Sequence, residues 1–500
     1  MPPLTRAPRT AACLAAIAVA SLTACSRSTV AESARAAAPA SSTNAPVAAL
    51  DLAYDKPAVA GTIATASATG LAAGKTIDLV WGTVTGGWVV EDYYHFRGKK
   101  YSETTTALGR FPVDASGRLI ARFAVPEDYG GVHEVIARLD GRPVAQGAIN
   151  VTQTFTMTPA AGAVGTPIEL KVTGLGWRTM ESTWVVNWDN QELGFVSAAS
   201  TRGTAVARFR ATGPAGDHIV KLYTGWQGLG YLNYEQSPVA ALPRPQFTFR
   251  TTADVVRSGA YVEPYQRQPM PAAETTGGAR LTIAPTQGAV GTRATLEGEG
   301  FAPNTPLRLV WETAVGSRVT DAGFAPQDNE IGDVTAGADG RFARPLTIPD
   351  DLGGLHGVAL RRGSDLVARA HFAIETSLVD VSPRSGPVGT PVAIHLKGVG
   401  WTEYDNIYVA TYDNAYMGYA CGFNSHGDVV INFTATGAPG AHVIDLYPGI
   451  YQGPPTEPQQ LYRLPQLTYA DDHPGNRIPA IRVMFEVTPP ARGTPTSTRD

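Results

Sequence analysis

Between Cys421 and Asp428 the chain places a thiol, a hydroxyl at Ser425, an imidazole at His426 and a carboxylate within eight residues. Nucleophilic catalysis needs such groups to converge in space, and neighbours on one strand or turn point apart. The stretch has no Gly-x-Ser-x-Gly elbow, and Asn424, Ser425, Gly427 and Asp428 are ordinary turn residues. It reads as a hairpin turn, with Cys421 a small apolar side chain beside it. Gly70-Leu-Ala-Ala-Gly-Lys-Thr76 has the glycines, lysine and hydroxyl of a phosphate-cradling loop but misses its spacing by one residue. The matching stretch 300–306 lacks the lysine, so this too reads as a turn.

Four imidazoles, His133, His218, His356 and His442, each stand two residues after a glycine and open a strand-like segment. They could ligate a metal or move protons, but their separation along the chain puts them in different domains. A structural role, bonding to a neighbouring loop as a tyrosine corner does, is expected instead. Asp189-Asn190, Asp413-Asn414 and Asp328-Asn329-Glu330 with Asp333, the last expected as an acidic loop, offer calcium-type oxygens, but too few at any one place. Asp-Asn between apolar runs is a hairpin signal. No metal and no cofactor are expected.

Aromatic residues are the better lead to binding. Trp88, Tyr93, Tyr94 and Phe96 lie close together around His95, while Trp226, Tyr231 and Tyr234 sit in and after a glycine-rich stretch. Flat aromatic faces on loops stack on sugar rings or anchor protein partners. These seven residues are the expected ligand-binding set. The recurring pairs Trp81/Trp311 and Trp177/Trp401 are expected in cores.

The recurrence is precise enough to define the elements. Pro159, Gly162, Gly165, Trp177, Asp189-Asn190 and Tyr223 reappear 224 positions later as Pro383, Gly386, Gly389, Trp401, Asp413-Asn414 and Tyr447. Gly61, Gly70 and Trp81 reappear at 230 as Gly291, Gly300 and Trp311, and then Gly117, Pro126 and His133 reappear at 223 as Gly340, Pro349 and His356. The first copy thus holds seven extra residues between its tryptophan and the shared turn. The order is A-B-A-B: A1 at 47–152, B1 at 153–263, a linker at 264–278, A2 at 279–376 and B2 at 377–488, with a disordered tail at 489–500.

Within each unit, segments such as Ile168-Glu-Leu-Lys-Val-Thr173 alternate apolar and polar residues, and turn residues recur at intervals of about 8 to 12. This pattern predicts an all-β chain of four β-sandwiches strung as a rod. The run Pro383-Arg-Ser-Gly-Pro-Val-Gly-Thr-Pro-Val392 with Leu396-Lys-Gly-Val-Gly-Trp401 resembles the opening strands of IPT/TIG-type immunoglobulin-like domains, and Thr158 to Trp177 and Pro285 to Phe301 are similar. The resemblance implies an immunoglobulin-like fold and a place among surface and adhesion modules, but no catalytic activity.

At the amino end Arg6 and Arg9 precede an apolar run at 11–20, too short to span a bilayer, and then Leu22-Thr-Ala-Cys25. These four residues resemble the lipobox of bacterial lipoproteins. The resemblance implies cleavage after residue 24, acylation of Cys25, and a stable membrane anchor through its acyl chains, palmitate included. Residues 25–46, rich in Ala, Ser, Thr and Pro, are then a flexible stalk. Ser26 in place of Asp is similar to lipoproteins sent to an outer membrane or cell surface. Of three cysteines only Cys421 would lie in the folded mass, so no disulfide framework is available there. The net charge of −4 over 500 residues gives no reason to expect nucleic acid.

These readings converge on an exported, membrane-anchored, non-enzymatic binding or adhesion protein for a polysaccharide or an envelope protein. The alternatives are a structural component of an envelope assembly and, third, an enzyme with a site at a domain junction.

Overall fold

The computed structural model describes residues 47–490 except 92–94, 227–228, 237–240, 257–258, 267–269, 318–322, 423–425, 452–463 and 476–477. Alternation decides its local structure. In Pro167–Thr173 the side chains of Ile168, Leu170 and Val172 enter the core while Glu169 and Lys171 face out, as a half-buried strand requires. Among the described residues there is no α-helix, and the chain is all-β.

Each unit is a sandwich of a three-stranded sheet on a larger one of five or six strands. In B1 the small sheet holds Thr154–Thr158, Pro167–Thr173 and Ala205–Arg210. The large one runs in the order Ala161–Val164, Gln246–Val255, Gly216–Trp226, Thr183–Trp188, Gln191–Ser197. The opening strand is divided between the two sheets, and its second half pairs in parallel with the last strand. A2 and B2 repeat this division, and a cis proline, at 159, 285 and 383, marks each break. This strand order is that of an immunoglobulin-like sandwich. Each unit has its own core, with Trp81 buried in A1, Trp184 and Trp188 in B1, and Trp311 in A2.

The four histidines hold the sandwiches together. His133 stacks on Trp81 with ring centroids 4.5 Å apart, His356 on Trp311 at 4.6 Å, His218 on Trp188 at 5.2 Å and His442 on Tyr412 at 5.4 Å. In each case Nε2 lies 2.8 Å from the carbonyl four residues upstream. In the A units Nδ1 meets a backbone carbonyl, whereas in the B units it meets Asp189 or Asp413 in the Asp-Asn hairpin turn. Both residues of that turn have positive φ, as a primed hairpin turn needs.

Three sequence expectations change. Trp177 and Trp401 are half-buried at the A–B junctions rather than in cores, beside His133 and Phe324 respectively. These junctions are closed by glycine: the amide of Gly130 donates to Leu175 and that of Gly353 to Val399, and a Cβ on either glycine would lie within 1.9 or 2.0 Å of a carbonyl oxygen. The acidic run at 328–333 is not a loop but part of strand Gly323–Thr335, with Asp328 paired to Arg361 and Glu330 to Arg308.

The units also do not form a rod, because B1 lies against B2. Tyr261–Val262, at the end of the B1 span, pairs with Ile481–Val487 of B2, and Glu274–Thr275 of the linker pairs with a strand of A2. Tyr447, Leu467, Tyr469 and Ala480 of B2 complete the core of B1.

Candidate functional site

One assembly of buried polar groups joins A1, B1 and B2. From A1 comes a long hairpin, Thr76–Glu91 with His95–Pro112, called here the arm. From B2 comes a stretch, residues 464–473, called the strap, which is bridged to B1 at Gln466 and turns from Leu467 to Asp471. It runs beside the edge strand Gln191–Ser197 of B1: Phe195 donates to the carbonyl of Pro465, Leu467 to that of Phe195, and Arg208 to that of Leu467. Proline suits this role because the strap needs no second partner on that side.

Where arm, edge strand and strap meet, Asp472 is almost wholly buried. Its carboxylate accepts Trp88 Nε1 at 3.0 Å, Ser197 Oγ at 2.7 Å, the amides of Ala199 and Ser200 at 2.9 and 2.7 Å, and Ser200 Oγ at 2.6 Å. A carboxylate has about four lone-pair positions, so five donors fill it. It acts as an anchor. Further along the arm the amide of Phe96 donates to Glu403 Oε2 of B2 at 2.6 Å, and Phe96 packs with Tyr404 and Ile450. Lys99 donates to Ser182 O and Thr183 Oγ1 of B1 at 3.0 and 2.8 Å. Burial of its ammonium pushes its pKa down to about 8, against the opposing pull of Asp472.

A second polar cluster lies between the B units. Arg210 of B1, buried on a face where a lone sandwich would be solvated, places Nε and Nη2 at 3.0 and 2.5 Å from Asp445 Oδ1. Arg482 Nη1 meets both Asp445 Oδ2 at 2.8 Å and the Tyr447 hydroxyl at 3.0 Å, and its Nη2 and Nε reach Tyr469 and Glu263. Burial alone would lower the Arg482 pKa, but Asp445 and its neighbours hold it well above the ordinary arginine value. Burial pushes the Tyr447 phenol up as well.

The expected ligand-binding residues separate. Phe96 is fully buried and Trp88 is partly buried, each engaged by B2, so neither is displayed on a loop as expected. The physical reason is the arm's length, which carries both beyond B1. Tyr231 is half-buried, its amide donating to the carbonyl of Thr224. Cys25, Tyr93 and Tyr94, with the side chains of Trp226 and Tyr234, lie outside the described residues. The group near Cys421 does not converge: His426 approaches Asp351 at 3.9 Å, Asp428 pairs with His395, and Ser425 lies outside the described residues. Sequence reading missed Asp472, Glu403, Arg210, Asp445 and Arg482. For Arg210, Asp445 and Arg482 the one signal was a charged residue at the outward position of an otherwise apolar strand, which looks the same whether water or another domain covers it; Asp472 and Glu403 lie outside strands and gave none.

No protein-family model and no curated protein sequence matches the chain. Among solved structures it is similar to invasin, a bacterial integrin-binding protein, at 12% identity over 80% of this chain and 76% of that one, with a TM-score of 0.17. A protein from Corynebacterium diphtheriae described as membrane anchored matches at 11% identity over 65% and 91% of the two chains, with a TM-score of 0.16. Trypsin-activated alpha-2-macroglobulin from Escherichia coli matches at 11% identity and a TM-score of 0.15, and the chain spans 42% of its length. Similarities this loose carry no argument about fold or activity. The sheet order is what identifies the chain as an all-β protein of immunoglobulin-like sandwiches.

Proposed function

We propose that this protein is an exported lipoprotein, tethered through acylated Cys25 to an outer membrane or cell surface, whose IPT/TIG-type units form a rigid, non-enzymatic scaffold for an envelope protein partner. The observation that carries the reading is the use made of the residues best equipped for chemistry. The four histidines stack inside their sandwiches, and Trp88, Phe96, Asp472 and the Arg210–Asp445–Arg482 cluster fasten units to one another. A scaffold that holds four domains in fixed relation presents its remaining surface preorganised, which lowers the entropic cost of binding.

Cross-linking in intact cells, followed by identification of stoichiometric partners, tests the scaffold. Recovery of the chain alone would count against it. Incorporation of labelled palmitate, lost on Cys25→Ala, tests the anchor. Binding to a glycan array that vanishes with Trp226→Ala would move the partner to a polysaccharide, and turnover of a hydrolase substrate would overturn the non-enzymatic reading.

A further inference from the structure

The two A–B junctions are one element built twice, and their charges differ in kind. In each, a buried aspartate of the A unit accepts the indole of the core tryptophan, Asp128 from Trp81 Nε1 at 3.1 Å and Asp351 from Trp311 Nε1 at 2.9 Å. A turn of the B unit faces that aspartate, with Arg202 or His426 in the left-handed region at φ 52° and 51°. The next residue, Gly203 or Gly427, accepts the amide of Leu175 or Val399. Arg202 Nη2 stands 3.5 Å from Asp128 Oδ2, and His426 Nδ1 stands 3.9 Å from Asp351 Oδ1.

At the offset of 224, Arg202 and Lys171 of B1 have become His426 and His395 of B2, while Thr204 and Thr156 have become Asp428 and Asp380. Asp428 pairs with His395, and Asp380 is the cross-strand partner of His395. Across the junction Asp350 of A2 pairs with Lys397, which stands where B1 has Thr173. Four carboxylates, Asp350, Asp351, Asp380 and Asp428, thus share one lysine and two imidazoles, and histidine is the side chain whose ordinary titration falls between about pH 5 and 8. The corresponding charges of the first junction, Glu127, Asp128, Lys171 and Arg202, cancel throughout that range. The first junction also has a neutral fastener, the Tyr129 hydroxyl donating to the Ala199 carbonyl at 2.7 Å, where A2 has Leu352.

We propose that the A2–B2 junction is a pH-responsive clasp, closed when His426 and His395 are protonated and looser when they are neutral, beside an A1–B1 junction that keeps one state. Protonated His426 attracts Asp351 of A2. Protonated His395 cancels Asp428, which otherwise repels Asp350 and Asp351 across the junction. An exposed imidazole pairs weakly, so the response is a change in local opening, with no unit unfolded. His356, buried behind Asp351, has its counterpart in His133, and burial lowers the pKa of both, so any response from them would appear at both junctions alike. The inference concerns motion within the scaffold and holds whatever the scaffold binds.

The test is amide hydrogen exchange of the full chain at pH 5.5 and pH 7.5, expressed as protection factors so that the intrinsic pH dependence of exchange drops out. The reporting amides are Gly353 and Val399 at the second junction, with Gly130 and Leu175 as their counterparts at the first. Protection at Gly353 and Val399 is expected to be about threefold higher at pH 5.5, and equal at the two pH values at Gly130 and Leu175. His426→Arg, which restores the residue of B1, should keep most of the higher protection at both pH values, and adding His395→Lys should remove the remaining response. The unfolding midpoint of each variant, measured at both pH values, checks that the fold is kept. An equal response at both junctions, no response at Gly353 and Val399, a fall in protection at pH 5.5, or a response that survives in the double variant would each overturn the proposal.

Discussion

In A1 the hairpin path from Trp81 to its cross-strand partner Thr106 covers 25 positions, and in A2 the same path from Trp311 to Asn329 covers 18. Up to that difference the two hairpins behave alike, each leaning an aromatic side chain on its junction, Tyr101 beside Tyr129 and Phe324 beside Trp401. The seven added residues of A1 carry Trp88 and Phe96 on to Asp472 and Glu403. The B units differ in the same way. Asp445 of B2 occupies the place of Lys221 in B1, and Arg210 of B1 the place of Thr434 in B2. One template was thus used twice, and the departures between copies cluster where the halves touch. A duplicated module keeps its core and acquires an orientation through a few residues on its outside.

The strongest way to break this asymmetry is to give B2 the residue of B1. Asp445→Lys would leave Arg210 and Arg482 buried against a third cation. Removing one partner from a buried ion pair costs about 3–5 kcal/mol, and a large fall in the urea midpoint is expected. A midpoint unchanged within error would mean that the Arg210–Asp445–Arg482 cluster does not hold the B units together.

Deleting residues 88–94 shortens the A1 hairpin to the length of its counterpart. Taking Trp88 and Phe96 out of their contacts loses burial worth about 1.5–3 kcal/mol for each large apolar side chain. Exchange should quicken at 403–404 and 466–472 while the A2 amides stay unchanged. Equal quickening in both halves would show that the arm stabilises the whole chain and does not act as a local fastener.

Lys99 sharpens the same contact through pH. Its folded pKa of about 8 lies below its ordinary 10.5, so between these values the unfolded chain binds more protons and stability rises as pH rises. The expected gain in midpoint between pH 8 and pH 10 should be absent in Lys99→Met and in the chain lacking 88–94. A gain that survives both would have to come from other groups.

Much of this architecture was readable beforehand, for identifiable reasons. Period-two alternation around Ile168, Leu170 and Val172 reports burial within one sandwich, and in the repeated Gly-x-Gly-Trp the first glycine has positive φ while the second leaves no room for a Cβ beside Glu181 or Asp405. The seven-residue excess was also visible, though what it reached was not. Arg210 in Ala205–Arg210 and Arg482 in Ile481–Val487 have the spacing of solvated side chains, and only a neighbouring unit buries them. Asp472 gave no periodic signal because the strap belongs to no sheet of its own unit. Trp88 and Phe96 were recognised as exceptional for lacking a counterpart, but the same absence fits an external ligand and an internal contact equally well.

The smallest expected effect lies in the hairpin turn that B2 turns toward B1. Asp413 accepts Thr212 Oγ1 of B1 and holds His442 Nδ1, while Asn414 Nδ2 donates to the carbonyl of Arg210. Burial works against a charged His442, but its bonds to Asp413 and to the Ala438 carbonyl, with the nearby Glu486, outweigh burial and raise its pKa above the ordinary 6.5. A base whose folded pKa is raised contributes stability that is complete below its unfolded value and lost as pH climbs through the folded one. Thermal unfolding should therefore show a modest decline from pH 6 to pH 8 that His442→Gln removes, opposite in sign to the Lys99 effect at higher pH. If His442→Gln leaves the decline intact, His442 serves B2 only as a neutral stacking partner for Tyr412, and the turn holds B1 through Thr212 and Arg210 without any charge on the imidazole.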